Sequence, residues 1–206
     1  MVTGPGLRAC PEDIGDYVDL ALVSGYPQAA LTLQGLGRAA WLSSYVDQLV
    51  LRDVAALGTR NPSLLRRYVE ALALNTAGVV TQATLLHASG INRATAATYE
   101  HDLSRTFALD IVQPRHSNRF NRLVKLPKRY LTDAALVAAV LGLNRSTLLG
   151  DGDLLGRMVD TFVAAQRCIQ AGLGMPPLRL RHLRDRTADG KLTSSLRLRR
   201  ASSRSR

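Results

Sequence analysis

Cysteine is almost missing from this chain: Cys10 and Cys168 are the two in 206 residues, far apart and unsupported by others. No disulfide framework can be built from them, so free thiols in a reducing, cytoplasmic compartment are expected. His87, His101, His116 and His182 do not cluster with the cysteines, and no metal site is expected. Long apolar runs are missing too. "AALVAAVLGL" (134–143) has ten residues, about half of what a helix needs to cross a bilayer. The first residues lack a basic flank followed by a continuous apolar segment, so neither a signal peptide nor a membrane partner is read. Apolar residues make up 46% of the chain, enough for a packed core.

The net charge of +11 suggests a polyanion as partner until it is located. Residues 1–114 carry 8 basic and 10 acidic side chains, and residues 130–177 carry 3 and 4. The excess lies in residues 115–129, with six basic residues and no acid, and in residues 178–206, with ten against two. The body is therefore not basic; one segment and the tail are. A basic tail binds polyanions without any specific fold.

Hydrophobic spacing predicts a mainly α-helical protein. Residues 12–23 space Ile14, Tyr17, Val18, Leu20, Ala21 and Leu22 in a helical pattern, with acids on the other face. "SGYP" (24–27) ends that helix, Gly25 supplying a left-handed step and Pro27 blocking continuation. A long helix is expected at about 38–57, then one from Pro62 with Asn61 as its cap and Gly78 at its close. "TQATLLHAS" (81–89), Gly90 and a helix capped by Asn92 form a helix–turn–helix, with Ala96, Tyr99, Leu103 and Phe107 inward. The strand "LDIVQP" (109–114) and the basic segment then give the outline of a winged helix. A strand and helix (128–143), a helix (151–174) with Leu154, Leu155, Met158, Val159, Phe162 and Val163 inward, and a strand within 176–190 follow. Residues 191–206 mix Ser and Arg without an apolar face and read as disordered.

The helix pair makes double-stranded DNA a candidate partner. Arg93, Thr95 and Thr98 face outward and could meet phosphates or base edges. The basic segment, with Arg115, Arg119, Arg122, Lys125, Lys128 and Arg129, is the stronger electrostatic candidate, lying along a phosphate backbone as a wing does. Glu100 and Asp102 count against the helix, since they would repel phosphate. The bland alternative is a packing module between domains.

The succession "SGYPQA" (24–29), "WLSSYVDQLVLRDVAAL" (41–57), the helix pair with its strand, "NRLVKLPKRYLTDAALVAAVLGL" (121–143) and "LLGRMVDTFVAAQ" (154–166) resembles the C-terminal half of a prokaryotic family of AAA-type ATPases. That family joins an ATPase domain to a winged helix and a nuclease-like domain of unknown function 4143. The resemblance covers about residues 12–190. It implies a helical lid remnant in residues 1–35, where Gly25 and Pro27 match a Gly-x-Pro element that lies against nucleotide. Residues 36–127 would hold the winged helix, with its helix–turn–helix at 81–106, and residues 128–190 a truncated α/β nuclease-like piece.

The family's catalytic parts are not matched. No G-x-x-x-x-G-K-[ST] occurs; "ADGKLTS" (188–194) lacks the upstream glycine and the hydroxyl residue after the lysine. Where similar proteins carry two glutamates along the last helix, the nearest residues are Asp160 and Gln166, and Leu192 and Ser194 stand where acids of a following strand belong. The expectation is a non-catalytic C-terminal fragment of an ATPase-like protein, truncated or decayed, with no catalytic residue and no cofactor. Its partner would be DNA or a separate chain supplying the ATPase half.

Overall fold

The computed structural model describes residues 13–53, 61–114, 126–173, 178–186 and 192–200. Its centre is the helix Ala134–Leu141, called α6 below, whose sequence AALVAAVL is apolar on every side. Such a helix is stable only when surrounded, and Ala134 to Ala138 and Val140 are all buried. Around it lie α1 (Ile14–Val23), α2 (Gly35–Gln48), α3 (Pro62–Leu74) and the long α8 (Gly152–Leu173), with the short α7 (Arg145–Gly150) beneath. The helix pair α4 (Gln82–Ser89) and α5 (Arg93–Arg105) packs on α3. Two antiparallel ladders complete the fold, β1 (Leu109–Val112) with β2 (Lys128–Leu131), and β3 (Leu178–Arg186) with β4 (Leu192–Arg200). The protein is mainly α-helical, as its sequence predicts.

Local chemistry sets the helix starts. Asn61 accepts from the Ser63 and Leu64 amides, Thr81 from Thr84, and Asn92 from Thr95. Gly90 takes the left-handed conformation between α4 and α5 at φ 70°. At Gly78 the reason for glycine is space rather than φ, because a Cβ would sit 2.9 Å from the Asn75 carbonyl oxygen.

Several expectations are corrected. The left-handed step after α1 falls on Ser24 (φ 78°), not on Gly25. The helix expected at 38–57 begins earlier, at Gly35, as α2 and passes into a π-helical turn at Leu49–Asp53; another π-helical turn, Gln28–Thr32, precedes it, and residues 54–60 lie outside the described residues. The helix from Pro62 closes at Leu74 with Asn75 as its C-cap, before Gly78. Phe107 does not enter the core: it occupies the left-handed position after α5 (φ 56°) and is 82% exposed. Val163 is partly exposed on α8. Residues 192–200 form β4, a full partner for β3, because their backbone groups continue that strand's ladder; the disorder expected there does not hold. The boundary expected at 127/128 falls between the strands of one ladder, and one apolar cluster runs from Val18 to Met158 across it.

One carboxylate joins the two ends of this core. Asp133 caps α6 through Oδ1, which accepts from the Ala135 and Leu136 amides at 2.7 and 3.3 Å. Its Oδ2 accepts from Ser24 Oγ (2.8 Å) and the Gly25 amide (2.6 Å), more than a hundred residues away. We expect Asp133→Ala to cost about 2–4 kcal/mol, the sum of a lost helix cap and of charge-assisted bonds left unmade. Asp133→Asn should recover part of this, since an amide oxygen still caps. Urea denaturation measures both, and an unchanged midpoint for Asp133→Ala would show that the link is not structural.

Candidate functional site

Gly25 and Pro27, matched by the resemblance to a lid element but expected to meet no nucleotide here, are used within their own chain. The Gly25 amide is taken by Asp133, and exposed Pro27 opens the π-helical turn that follows. Between them the Tyr26 ring packs on Tyr45 and Trp41, at centroid distances of 4.8 and 6.0 Å.

The α5 surface differs from its expected form in a way that favours polyanions. Arg93, Ala94, Ala97, His101 and Arg105 are exposed and follow one another around a single face. Thr95 and Thr98 are half-buried, and the Thr98 hydroxyl is turned back to the Ala94 carbonyl at 3.1 Å. Asp102 is buried rather than outward. Glu100 is neutralised: its Oε1 accepts from Arg129 Nε and from the Tyr68 hydroxyl, both at 2.7 Å. Neither acid therefore faces an approaching phosphate. Burial and the Glu100 carboxylate together push the Tyr68 hydroxyl far above its ordinary range.

Strand β2 removes two expected DNA contacts. Lys128 and Arg129 are buried, at 3% and 7% exposure. They belong to β2, where the ladder with β1 turns their side chains onto helices rather than solvent. Arg129 pairs with Glu100, and Lys128 Nζ lies 2.6 Å from Asp160 Oδ2. Asp160, in place of a metal-binding acid, thus balances a buried lysine. Arg115, Arg119, Arg122 and Lys125 lie outside the described residues. In the β3–β4 register Arg179 stands opposite Arg199 and Arg181 opposite Arg197. Seven arginines, from Arg179 to Arg200, therefore stand on a paired ladder, while Arg204 and Arg206 lie outside the described residues. Strand β3 is fastened just beyond β1, with the His182 amide donating to the Gln113 carbonyl at 3.2 Å.

A cleft of about 300 Å³ opens where the end of α1, the β1–β2 ladder and α8 meet. Its walls include Phe107, Phe162 and Ile169, and its polar lining includes Asp110, Asp133 and Gln166. Cys168 lines it as well. Burial first, and the neighbouring Asp110 second, push that thiol up to about 11, so it is a protonated thiol at neutral pH and no nucleophile. Burial also raises the Asp110 carboxyl. The sequence does not single out Asp110 or Phe107 as site residues; a lone acid in a short apolar strand is the available signal. Among the described residues no group of three His, Cys, Asp or Glu side chains could hold a metal ion. No described helix is long and apolar enough to cross a membrane.

Residues 14–147 match the domain of unknown function DUF8612, and the chain belongs to that family. It is also similar to the uncharacterized proteins Rv2008c of Mycobacterium tuberculosis and Mb2031c of Mycobacterium bovis, 28% identical to each over 148 residues. The matched stretch is 71% of this chain and 34% of each relative, so it spans about a third of their length. No solved structure matches the chain.

The burial of Arg129 and the exposure of Arg93 predict opposite outcomes. Arg129→Ala strands the Glu100 charge and should cost about 3–5 kcal/mol, whereas Arg93→Ala should stay within about 0.5 kcal/mol. Urea unfolding curves decide; equal midpoints would return Arg129 to the surface.

Proposed function

We propose that the chain is a non-catalytic packing module of an ATPase-like architecture, one that docks on a neighbouring domain or a separate ATPase chain. The observation that carries this is an exposed, nearly uncharged face over residues 28–44. Leu36 is 90% exposed and Leu31 69%, with Gly35, Gly37, Ala39 and Ala40 also open to solvent. The single charged residue in that stretch, Arg38, is used internally, its Nε and Nη2 donating to the Ala29 and Leu33 carbonyls at 2.9 and 2.7 Å. Exposed large apolar side chains on a nearly uncharged stretch suit an interaction surface. The greater length of the mycobacterial relatives supports a role beside other domains. The missing phosphate loop supports a role without hydrolysis.

The chain alone should neither hydrolyse MgATP nor retain a fluorescent ATP analogue; saturable nucleotide binding would refute the reading. Leu31→Glu with Leu36→Glu should leave the unfolding midpoint almost unchanged while lowering binding of an apolar dye and self-association in sedimentation. If both readouts are unaffected, the face is not a docking surface.

A second reading, duplex DNA binding through α5 and the basic segment, is favoured by the acid-free face Arg93, Ala97, His101 and Arg105. Fluorescence anisotropy on the full chain at several salt concentrations tests it. Arg93→Ala with Arg105→Ala should reduce the salt slope by about two, one per phosphate contact. Binding that survives this change but vanishes with Arg197, Arg199 and Arg200 replaced by Ala would assign the affinity to the β4 strand instead.

A further inference from the structure

The cleft between α1, the β1–β2 ladder and α8 combines apolar walls with two carboxylates. None of its described lining residues is Lys or Arg. Asp133 is satisfied by four donors, but all of them are neutral. Asp110 is half-buried on β1, and no cation pairs with it among the described residues. It also lines an adjoining cleft of about 240 Å³ beside Arg181. Burying a carboxylate without a counter-ion is costly, and the upward displacement of its proton equilibrium expresses that cost.

Phe107 stands at the rim in a conformation that suits glycine, with its ring in solvent. A bulky residue there carries backbone strain. Its backbone position is useful to the fold, because its carbonyl accepts from the Thr132 hydroxyl at 2.8 Å. Glycine would serve that purpose equally, and the exposed ring serves no packing purpose inside the protein.

We propose that this cleft binds a small apolar organic cation, an aryl-alkyl or alkyl ammonium, with the ammonium on Asp110 and the apolar body against Phe162, Ile169 and the Phe107 ring. The volume is at the lower end for small-molecule sites. An ammonium would supply a counter-ion that none of the described lining residues provides, and an aromatic rim adds attraction for a cation.

The test is titration calorimetry of the full chain with 2-phenylethylammonium, with 2-phenylethanol as its neutral counterpart. The amine should bind saturably and the alcohol at least about tenfold more weakly. Asp110→Asn removes a half-buried charge and should fold at least as well at neutral pH. It should also lower amine affinity by about tenfold or more. Phe107→Gly should keep the fold and weaken the amine by several-fold. Equal binding of amine and alcohol, an unchanged affinity in Asp110→Asn, or no heat from the amine at millimolar concentration would each overturn the proposal. None of these outcomes bears on the docking face at residues 28–44, which lies elsewhere.

Discussion

The carboxylate of Asp133 holds the fold at its one point of double dependence. It starts the central helix, whose eight apolar residues have no reason to be helical unless surrounded, and it fixes the turn that brings α1 against that helix. Ser24 has φ 78° and ψ 153°, a region that glycine normally occupies. The Ser24 hydroxyl and the next amide are both used by Asp133, so the strain and its compensation sit at the same atoms. Change Asp133 and the α1 docking angle, the α6 start and the floor of the cleft all lose their common anchor.

Charge position, rather than charge number, governs the α5 side. A count along the sequence sets Glu100 and Asp102 against a phosphate partner and adds Lys128 and Arg129 in its favour. Folding removes all four charges from that balance. Glu100 meets Arg129 and Tyr68, Lys128 meets Asp160, and Asp102 is buried. Among the described residues, what remains outward on α5 is two arginines and a histidine around small residues.

The elements were legible wherever a local rule decides them. Asn61 before Pro62, Gly90 in the turn and Asn92 before α5 are all read from a few neighbouring residues, and β1 and β2 are each read as strands, though not as partners, because a domain boundary is expected between them. What was not legible depends on partners far along the chain. Asp133 precedes the run AALVAAVL and announces a helix cap, but nothing nearby says that its second oxygen reaches Ser24. Leu192–Arg200 lacks any apolar periodicity worth reading, yet it pairs along nine residues because β3 offers a free edge. Lys128 and Arg129 read as part of a basic loop because their acids lie 32 and 29 positions away in sequence.

Ser24, Ala77 and Phe107 are the described residues other than glycine with positive φ. Ala77 and Ser24 can be accounted for within the fold: the Ala77 amide reaches the Arg129 carbonyl at 2.9 Å, and Ser24 is held by Asp133. Phe107 is the case where backbone and side chain separate. Its carbonyl and its position after α5 would be served by glycine with less strain, so stability alone does not call for an aromatic ring there. The ring stands in water at the mouth of a cleft whose described lining holds no lysine or arginine, and the backbone strain beneath it brings no gain in packing.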